Sequence, residues 1–157
     1  MNAVETKLSE LGITLPTPAA PVANYVPYVQ TGNLVVISGQ ICFGPDGKIA
    51  DAHKGKLGAE VDMAAGQEAA RLCAINVLAQ LKAALGGDLS RVVRCVRLGG
   101  FINAMPTFAA LPQVMNGASD LMVAVLGDAG RHARSTIGVA ELPADAAVEV
   151  EAMFEVR

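Results

Sequence analysis

The chain has 157 residues, of which 52% are hydrophobic and 17% charged, so it has enough apolar material for one packed core and we expect a single domain over residues 1–157. The formal net charge is -3 and the basic residues are scattered, whereas proteins that bind nucleic acid concentrate Lys and Arg on one face. No apolar run approaches the ~20 residues of a membrane span and the first residues lack a signal-peptide pattern, so the composition predicts a cytoplasmic protein.

Residues 1–22 are predicted to form a leader. Within it, the segment Leu8–Gly12 is typical of one or two helical turns. Three prolines then follow closely, at Pro16, Pro18 and Pro21. Because proline cannot continue a helix, the second half of the leader is expected to be extended chain.

Two strands are predicted next, at about Tyr25–Gln30 and Asn33–Gln40. A hairpin turn at Thr31–Gly32 would join them. A second turn is predicted at Gly44–Gly47, from its Gly-Pro-Asp-Gly sequence. The following segment, Lys48–Gly58, is polar, and we expect an exposed and mobile loop.

A long helix is predicted from about Glu60 to Leu85, ended by the glycine pair Gly86–Gly87. Its apolar residues recur at three- to four-residue steps, as on one face of a helix. They are Val61, Ala65, Ala69, Leu72, Ile75, Leu78 and Leu81. Alanine and leucine also occupy most other positions, which favours a helix packed on several sides.

The segment Arg91–Asn103 contains several valines and is predicted to be a central strand. A second helix should cover Pro106–Leu126, with an interruption near Pro112 or Gly117, since both residue types weaken a helix interior. Residues 127–133 would then form a loop.

The last part of the chain predicts two more strands. Arg134–Ala140 is rich in strand-forming residues, Leu142–Asp145 has turn chemistry, and Val148–Val156 alternates strictly. We interpret these segments as a β-hairpin, which would place Arg134 on the strand adjacent to a row of glutamates. One face of the last strand carries Glu149, Glu151, Met153 and Glu155. A solvated sheet face explains this row equally well.

Three cysteines, Cys42, Cys73 and Cys95, lie among apolar neighbours and are interpreted as small core residues. The two histidines, His53 and His132, are not paired with other ligand residues at a recognised spacing. We therefore expect no metal.

The predicted order is β-β-α-β-α-β-β, which indicates an α+β fold with a single mixed sheet and both helices on one face. The other face would be exposed unless a partner covers it.

Two blocks of the sequence resemble the Rid family, also called YjgF-like or L-PSP proteins. The first block comprises Pro27-Tyr28-Val29-Gln30, Gly32-Asn33-Leu34 and Ser38-Gly39-Gln40-Ile41. The second comprises Ala133-Arg134-Ser135, Leu142-Pro143 and the Glu-rich last strand. The resemblance implies a chorismate-mutase-like fold and a homotrimer with sites between subunits.

The resemblance also implies roles for individual residues. Arg134 would hold a substrate carboxylate, and Glu149 would position or protonate the attacking water. Tyr28 would line the pocket mouth, and the backbone at Gly39 would approach the ligand. Structural alternatives exist for three of these residues: an interface salt bridge between Arg134 and a glutamate, a half-buried edge tyrosine at position 28, and a strand kink at Gly39.

The sequence departs from the best-studied deaminase-type members at several positions. Thr136 stands where they have cysteine, and His132 stands where they have proline. Thr136 remains a candidate for substrate contact. Asn116 is the candidate for the pocket asparagine of the family.

Three functions follow from the resemblance. The first is an imine or enamine deaminase that converts reactive 2-iminoacids to 2-ketoacids and ammonia without a cofactor. The second is a trimeric, non-catalytic binding protein for small acidic metabolites. The third is an endoribonuclease or translation inhibitor, which the acidic balance and scattered basic residues disfavour.

Overall fold

The structure, a computed structural model, describes residues 1–18, 20 and 23–157. In chain order its elements are helix α1 (Ala3–Glu10), strands β1 (Tyr28–Thr31) and β2 (Leu34–Ile41), helix α2 (Met63–Ala84), strand β3 (Val92–Asn103), helix α3 (Leu111–Leu126) and strands β4 (Ala133–Val139) and β5 (Val148–Val156). The predicted order is therefore confirmed, with α1 as the leader helix. None of the helices in the described part of the chain combines the length and apolar character needed to cross a bilayer.

The leader helix is longer than its sequence suggested. It begins after Asn2, whose side chain accepts a hydrogen bond from the Glu5 backbone, while Glu5 reaches back to the Asn2 backbone. This reciprocal capping satisfies donors at the start of the helix. Residues 13–18 then carry no regular secondary structure, as the prolines predicted, whereas Pro21 lies outside the described residues.

The five strands form one mixed sheet in the order β1-β2-β5-β3-β4. The predicted hairpin of the last two strands is wrong, because β3 lies between them, parallel to β4 and antiparallel to β5. The reason is the helix between β3 and β4: α3 returns the chain so that β4 runs parallel to β3, as in a β-α-β unit. Residues 140–147 then cross the end of β3 to reach β5.

The alternation in β5 is as predicted. Every second residue from Val148 to Val156 is buried, and the residues between them are only partly buried. Helix α2 packs against β2 and β5, and α3 packs against β3 and β4. The buried side of β5 therefore faces the helices, and the glutamates lie on the opposite, open face of the sheet.

Helix α2 agrees with its prediction to within three residues at either end. It begins after Asp62, whose carboxylate accepts a hydrogen bond from the Ala65 backbone, which is a common N-cap arrangement. It ends just before Gly86, which has a φ of +64°. Glycine adopts this left-handed conformation without a steric cost.

Helix α3 is shorter than predicted and has no interruption. It begins at Leu111 rather than Pro106, and Pro112 lies in its first turn, where a backbone N–H would have no helical partner anyway. Gly117 serves helix packing: a Cβ there would overlap the Gln67 carbonyl oxygen of α2. The glycine thus allows the two helix backbones to approach closely.

The segment Lys48–Gly58 is not the exposed loop that its polarity suggested. Ile49 and Leu57 belong to the hydrophobic core. The Lys56 ammonium donates to the buried Asn103 side chain at 2.6 Å and also to the Ala140 carbonyl. Apolar burial and one buried polar partner therefore fix this segment against the end of β3. The three cysteines are free thiols within the core, as predicted.

Candidate functional site

Arg134 lies on the edge strand β4 and points towards the helix side of the sheet. It is paired in register with Leu98, which is fully buried beneath the helices. Its Nη1 donates hydrogen bonds to Asn116 Oδ1 at 2.8 Å and to Ser119 Oγ at 3.1 Å, both on α3. Asn116 and Ser119 are three residues apart and so share a helix face.

A second pair of hydrogen bonds extends this cluster. Ser119 Oγ lies 2.9 Å from His132 Nε2, and His132 Nδ1 lies 2.6 Å from the Gly130 carbonyl oxygen. In the sequence, His132 is weighed as a metal ligand and is a departure from the family pattern, but neither His132 nor Ser119 has a predicted role in the site. The spacing from Asn116 was the available signal for Ser119.

Thr136 follows Arg134 by two residues and therefore lies on the same face of β4. Its hydroxyl is buried and has no hydrogen-bond partner among the described residues. A buried polar atom without a partner is costly and is rare in native proteins. The hydroxyl thus marks a place that a ligand or a neighbouring subunit could complete.

The guanidinium of Arg134 has further donors to offer. Only its Nη1 group donates hydrogen bonds to residues that the structure describes, and within the same residues the side chain forms no ion pair with a carboxylate. Arg134 therefore makes no salt bridge to a glutamate within the described part of one chain, and the alternative of a salt bridge across an interface stays a prediction. The Nε–Nη2 edge presents two parallel N–H groups, which match the geometry of a carboxylate.

Glu149 lies on the open face of the sheet, opposite to Arg134. It is paired with Phe101 of β3 and with Ile41 of β2. Burial raises the pKa of its carboxyl above the ordinary value, and the nearby Glu151 charge raises this pKa further. Both causes disfavour the ionised form, so Glu149 holds its proton at a higher pH than an exposed glutamate does.

Gly39 leaves room for Glu149. A Cβ at position 39 would lie 2.6 Å from Glu149 Oε1, and the residue falls in a register shift between β2 and β5. A cavity of about 310 Å³ opens beside both residues, with Tyr25, Ser38 and Pro143 also in its wall. Gly39 is thus both a strand irregularity and a direct neighbour of the glutamate.

Tyr28 belongs neither to the hydrogen-bonded cluster around Arg134 nor to the wall of the cavity beside Glu149. It is partly buried on the edge strand β1, is paired with the core residue Ile37, and packs against the hydrophobic core. Tyr25, rather than Tyr28, lines the cavity beside Glu149, and a place for Tyr28 at the mouth of a site between subunits stays a prediction. Among the described residues, no group of three His, Cys, Asp or Glu side chains is placed to hold a metal ion.

The predicted residues therefore form two half-sites. The arginine half-site consists of Arg134, Asn116, Ser119, His132 and Thr136 on the helix side of the β4 edge. The glutamate half-site consists of Glu149 on the central strand β5, Gly39 on the neighbouring strand β2, and the adjoining cavity. Strand β3 lies between β4 and β5, and the side chains of Arg134 and Glu149 point to opposite faces of the sheet. The half-sites therefore do not meet within one chain.

Replacing Glu149 with glutamine should stabilise the protein at alkaline pH. The pKa of Glu149 is raised in the folded state, so its contribution to stability is present at low pH and is lost as pH rises through the folded-state pKa. Removing the charge avoids that loss. Thermal unfolding at pH 4 and pH 8 should show a gain for Glu149→Gln over wild type only at pH 8. An equal gain at both pH values would contradict the assignment.

The chain is similar over nearly its whole length to proteins already known. A family model described as "YjgF/chorismate mutase-like, putative endoribonuclease" matches residues 5–155. TCP17 from Trypanosoma cruzi is 48% identical over 155 residues, which cover 98% of this chain and 94% of TCP17. The 2-iminobutanoate/2-iminopropanoate deaminase of Dermatophagoides farinae is 28% identical over 145 residues, which cover 92% and 95% of the two chains.

Solved structures agree with this placement. Atu1372 from Agrobacterium tumefaciens, a protein of unknown function, matches with a TM-score of 0.91 at 48% identity, over 99% of this chain and 93% of that one. E. coli TdcF with bound serine matches with a TM-score of 0.62 at 27% identity, over 92% and 95%. The backbone thus follows Atu1372 more closely than TdcF.

Proposed function

The chain belongs to the YjgF/chorismate mutase-like family, and on this premise we propose that it is an imine deaminase with its active site between the subunits of a homotrimer. The reaction is the hydrolysis of a 2-iminoacid: water adds to the imine carbon, the carbon–nitrogen bond breaks, and a 2-ketoacid and ammonia leave. The distant relative from Dermatophagoides farinae bears the name of this activity.

The main support for the proposal is the set of contacts that Arg134 makes. Asn116 and Ser119 hold one end of its guanidinium, and its charge has no carboxylate partner among the described residues. A partly buried arginine is costly to leave without an anion. The substrate carboxylate would supply that anion and would be fixed by two charge-assisted hydrogen bonds.

Glu149 suits the proton transfers of the reaction. Its raised pKa keeps a fraction of the carboxyl groups protonated closer to neutral pH. A general acid or base works best when its pKa lies near the operating pH. The ionised form would take a proton from the attacking water, and the protonated form would give one to the departing nitrogen.

A second subunit would bring the half-sites together. The open face of the sheet exposes Val29, Val36 and Ile137, with Phe101 partly exposed between the glutamates and Ile137. Apolar side chains on an uncovered sheet face are typical of an interface. In a closed ring of three copies, each interface would place the arginine half-site of one subunit beside the glutamate half-site of the next.

A binding protein without catalysis is the second candidate. Its support is the structure of TdcF, a protein that holds a bound serine, which carries a carboxylate as a 2-ketoacid does. In that case Arg134 would still capture the ligand, but Glu149 would transfer no proton.

A coupled assay tests the activity directly. An amino-acid oxidase generates 2-iminobutanoate in situ, and the formation of 2-oxobutanoate is timed with and without the protein. Faster formation, absent when Glu149→Gln replaces the wild type, supports the deaminase. Binding of 2-oxobutanoate without any acceleration would support the binding protein instead.

Co-expression of two inactive variants tests the shared site. In mixed trimers of Arg134→Ala and Glu149→Gln subunits, some interfaces combine an intact arginine half-site with an intact glutamate half-site. Random mixing in a threefold ring restores roughly a quarter of the sites. Activity in the mixture and a trimer in sedimentation are the expected results. A monomer, or no recovery in trimers shown to be mixed, would contradict the shared site.

A further inference from the structure

We propose that Ser119 and His132 are positioning residues that orient Arg134 for carboxylate binding. The inference deepens the proposed function and rests on it, since it assigns a task to two residues of the arginine half-site. It rests on the geometry of one hydrogen-bonded chain that runs from the Gly130 carbonyl through His132 and Ser119 to the guanidinium.

The carbonyl oxygen of Gly130 determines which atom donates in each of these hydrogen bonds. A carbonyl oxygen can only accept, so His132 Nδ1 must carry the hydrogen that it shares with Gly130 O. In the neutral ring Nε2 then has a lone pair, and it accepts the Ser119 hydroxyl proton. With its proton directed towards the histidine, the Ser119 oxygen turns a lone pair to Arg134 Nη1.

The result is a guanidinium with one end fully engaged. Nη1 has two hydrogens, and one is directed to Asn116 Oδ1 and the other to Ser119 Oγ. Because the guanidinium is planar, two acceptors at one nitrogen fix the orientation of the whole group. The Nε–Nη2 edge is thereby set in one direction before any ligand arrives.

Such preorganisation affects affinity because an arginine side chain otherwise loses rotamer freedom on binding. Ordering one flexible side chain weakens binding by about two- to tenfold. Ser119 and His132 remove part of that loss in advance. His132 acts only through Ser119, so its effect on the ligand should vanish when Ser119 is absent.

Four variants separate this role from a structural one, with 2-oxobutanoate as the probe in titration calorimetry. Ser119→Ala removes the bridge. His132→Asn keeps a donor near the Nδ1 position but places no acceptor at Nε2, whereas His132→Gln can place an amide oxygen there. Ser135→Ala is the matched control, because Ser135 lies on the same strand with its side chain on the opposite face.

We expect Ser119→Ala and His132→Asn to weaken 2-oxobutanoate binding by about three- to tenfold. His132→Gln should bind more tightly than His132→Asn, and Ser135→Ala should stay close to wild type. In the deaminase assay the first two should raise KM and leave kcat nearly unchanged, as loss of uniform binding does. The double variant Ser119→Ala/His132→Asn should bind no more weakly than Ser119→Ala alone.

Wild-type affinity in Ser119→Ala, or equal losses in both His132 variants, would overturn the proposal. A lower melting temperature with unchanged affinity would do the same, since it would leave only a structural role. These outcomes differ from failure of the proposed function, which would appear as unchanged 2-oxobutanoate binding when Arg134 itself is removed.

Discussion

Arg134→Ala is expected to weaken binding of 2-oxobutanoate by about 30- to 140-fold, which corresponds to roughly 2 to 3 kcal/mol. The physical reason is the loss of a charge-assisted, two-pronged contact at a partly buried position. Calorimetric titration measures the loss, and thermal unfolding checks that the fold survives. Since the side chain extends from an edge strand to hydrogen bonds on α3, only modest destabilisation is expected.

Two further substitutions sharpen this test. Arg134→Lys keeps the charge but loses the planar fork, so it should recover only part of the affinity. Arg131→Ala is the matched control, because Arg131 is exposed and forms a 3.6 Å salt bridge to Asp128 within the same turn. If Arg134→Ala bound the ketoacid normally while its stability collapsed, the arginine would be structural, and the carboxylate-anchor assignment would be lost.

Glu149→Gln is expected to reduce turnover by about 100- to 10,000-fold, the range that general acid–base catalysis contributes. The amide preserves size and a hydrogen bond but neither takes a proton from water nor returns one to nitrogen. Affinity for 2-oxobutanoate should stay near wild type, because Arg134 is intact. The coupled oxidase assay gives kcat, and calorimetry gives the affinity.

Glu155→Gln is the control for this substitution. Glu155 lies on the same face of β5, six residues along the strand, and pairs with Leu34 and Arg94 away from the Glu149 cavity. It should turn over at the wild-type rate. If Glu149→Gln and Glu155→Gln behaved alike, Glu149 would have no part in the chemistry, and the binding-protein hypothesis would gain.

Local periodicity was sufficient to predict most elements of the fold. The alternation in Val148–Val156 and the helical repeat before Gly86 both reflect which side of one segment is buried. Local periodicity does not predict which strands are neighbours in the sheet. The two last strands were expected to pair because a turn separates them, but α3 packs beside β3 and places β4 there instead. Long-range packing of this kind leaves no local signal.

The same limit applies to the site. Resemblance singled out Arg134, Asn116 and Thr136, and the structure places them together on one face of the β4 edge. The resemblance could not show that Glu149 points to the opposite face of the sheet. Which face each side chain occupies depends on the register of β3 with β4 and with β5. Tyr28 packs against the core because it pairs with Ile37, and this pairing is set by the hairpin at Gly32.

The strand that joins the sheet is synthesised after all of its partners. Without β5, the hairpin of β1 and β2 and the unit of β3, α3 and β4 are separate pieces, since β5 alone connects β2 to β3. An incomplete nascent chain therefore exposes two unpaired strand edges, which are templates for association with other chains. Pairs such as Val35 with Phe154 are also distant in sequence, and such contacts slow folding. The fraction of chains that fold without associating should therefore depend on how soon residues 148–156 emerge from the ribosome.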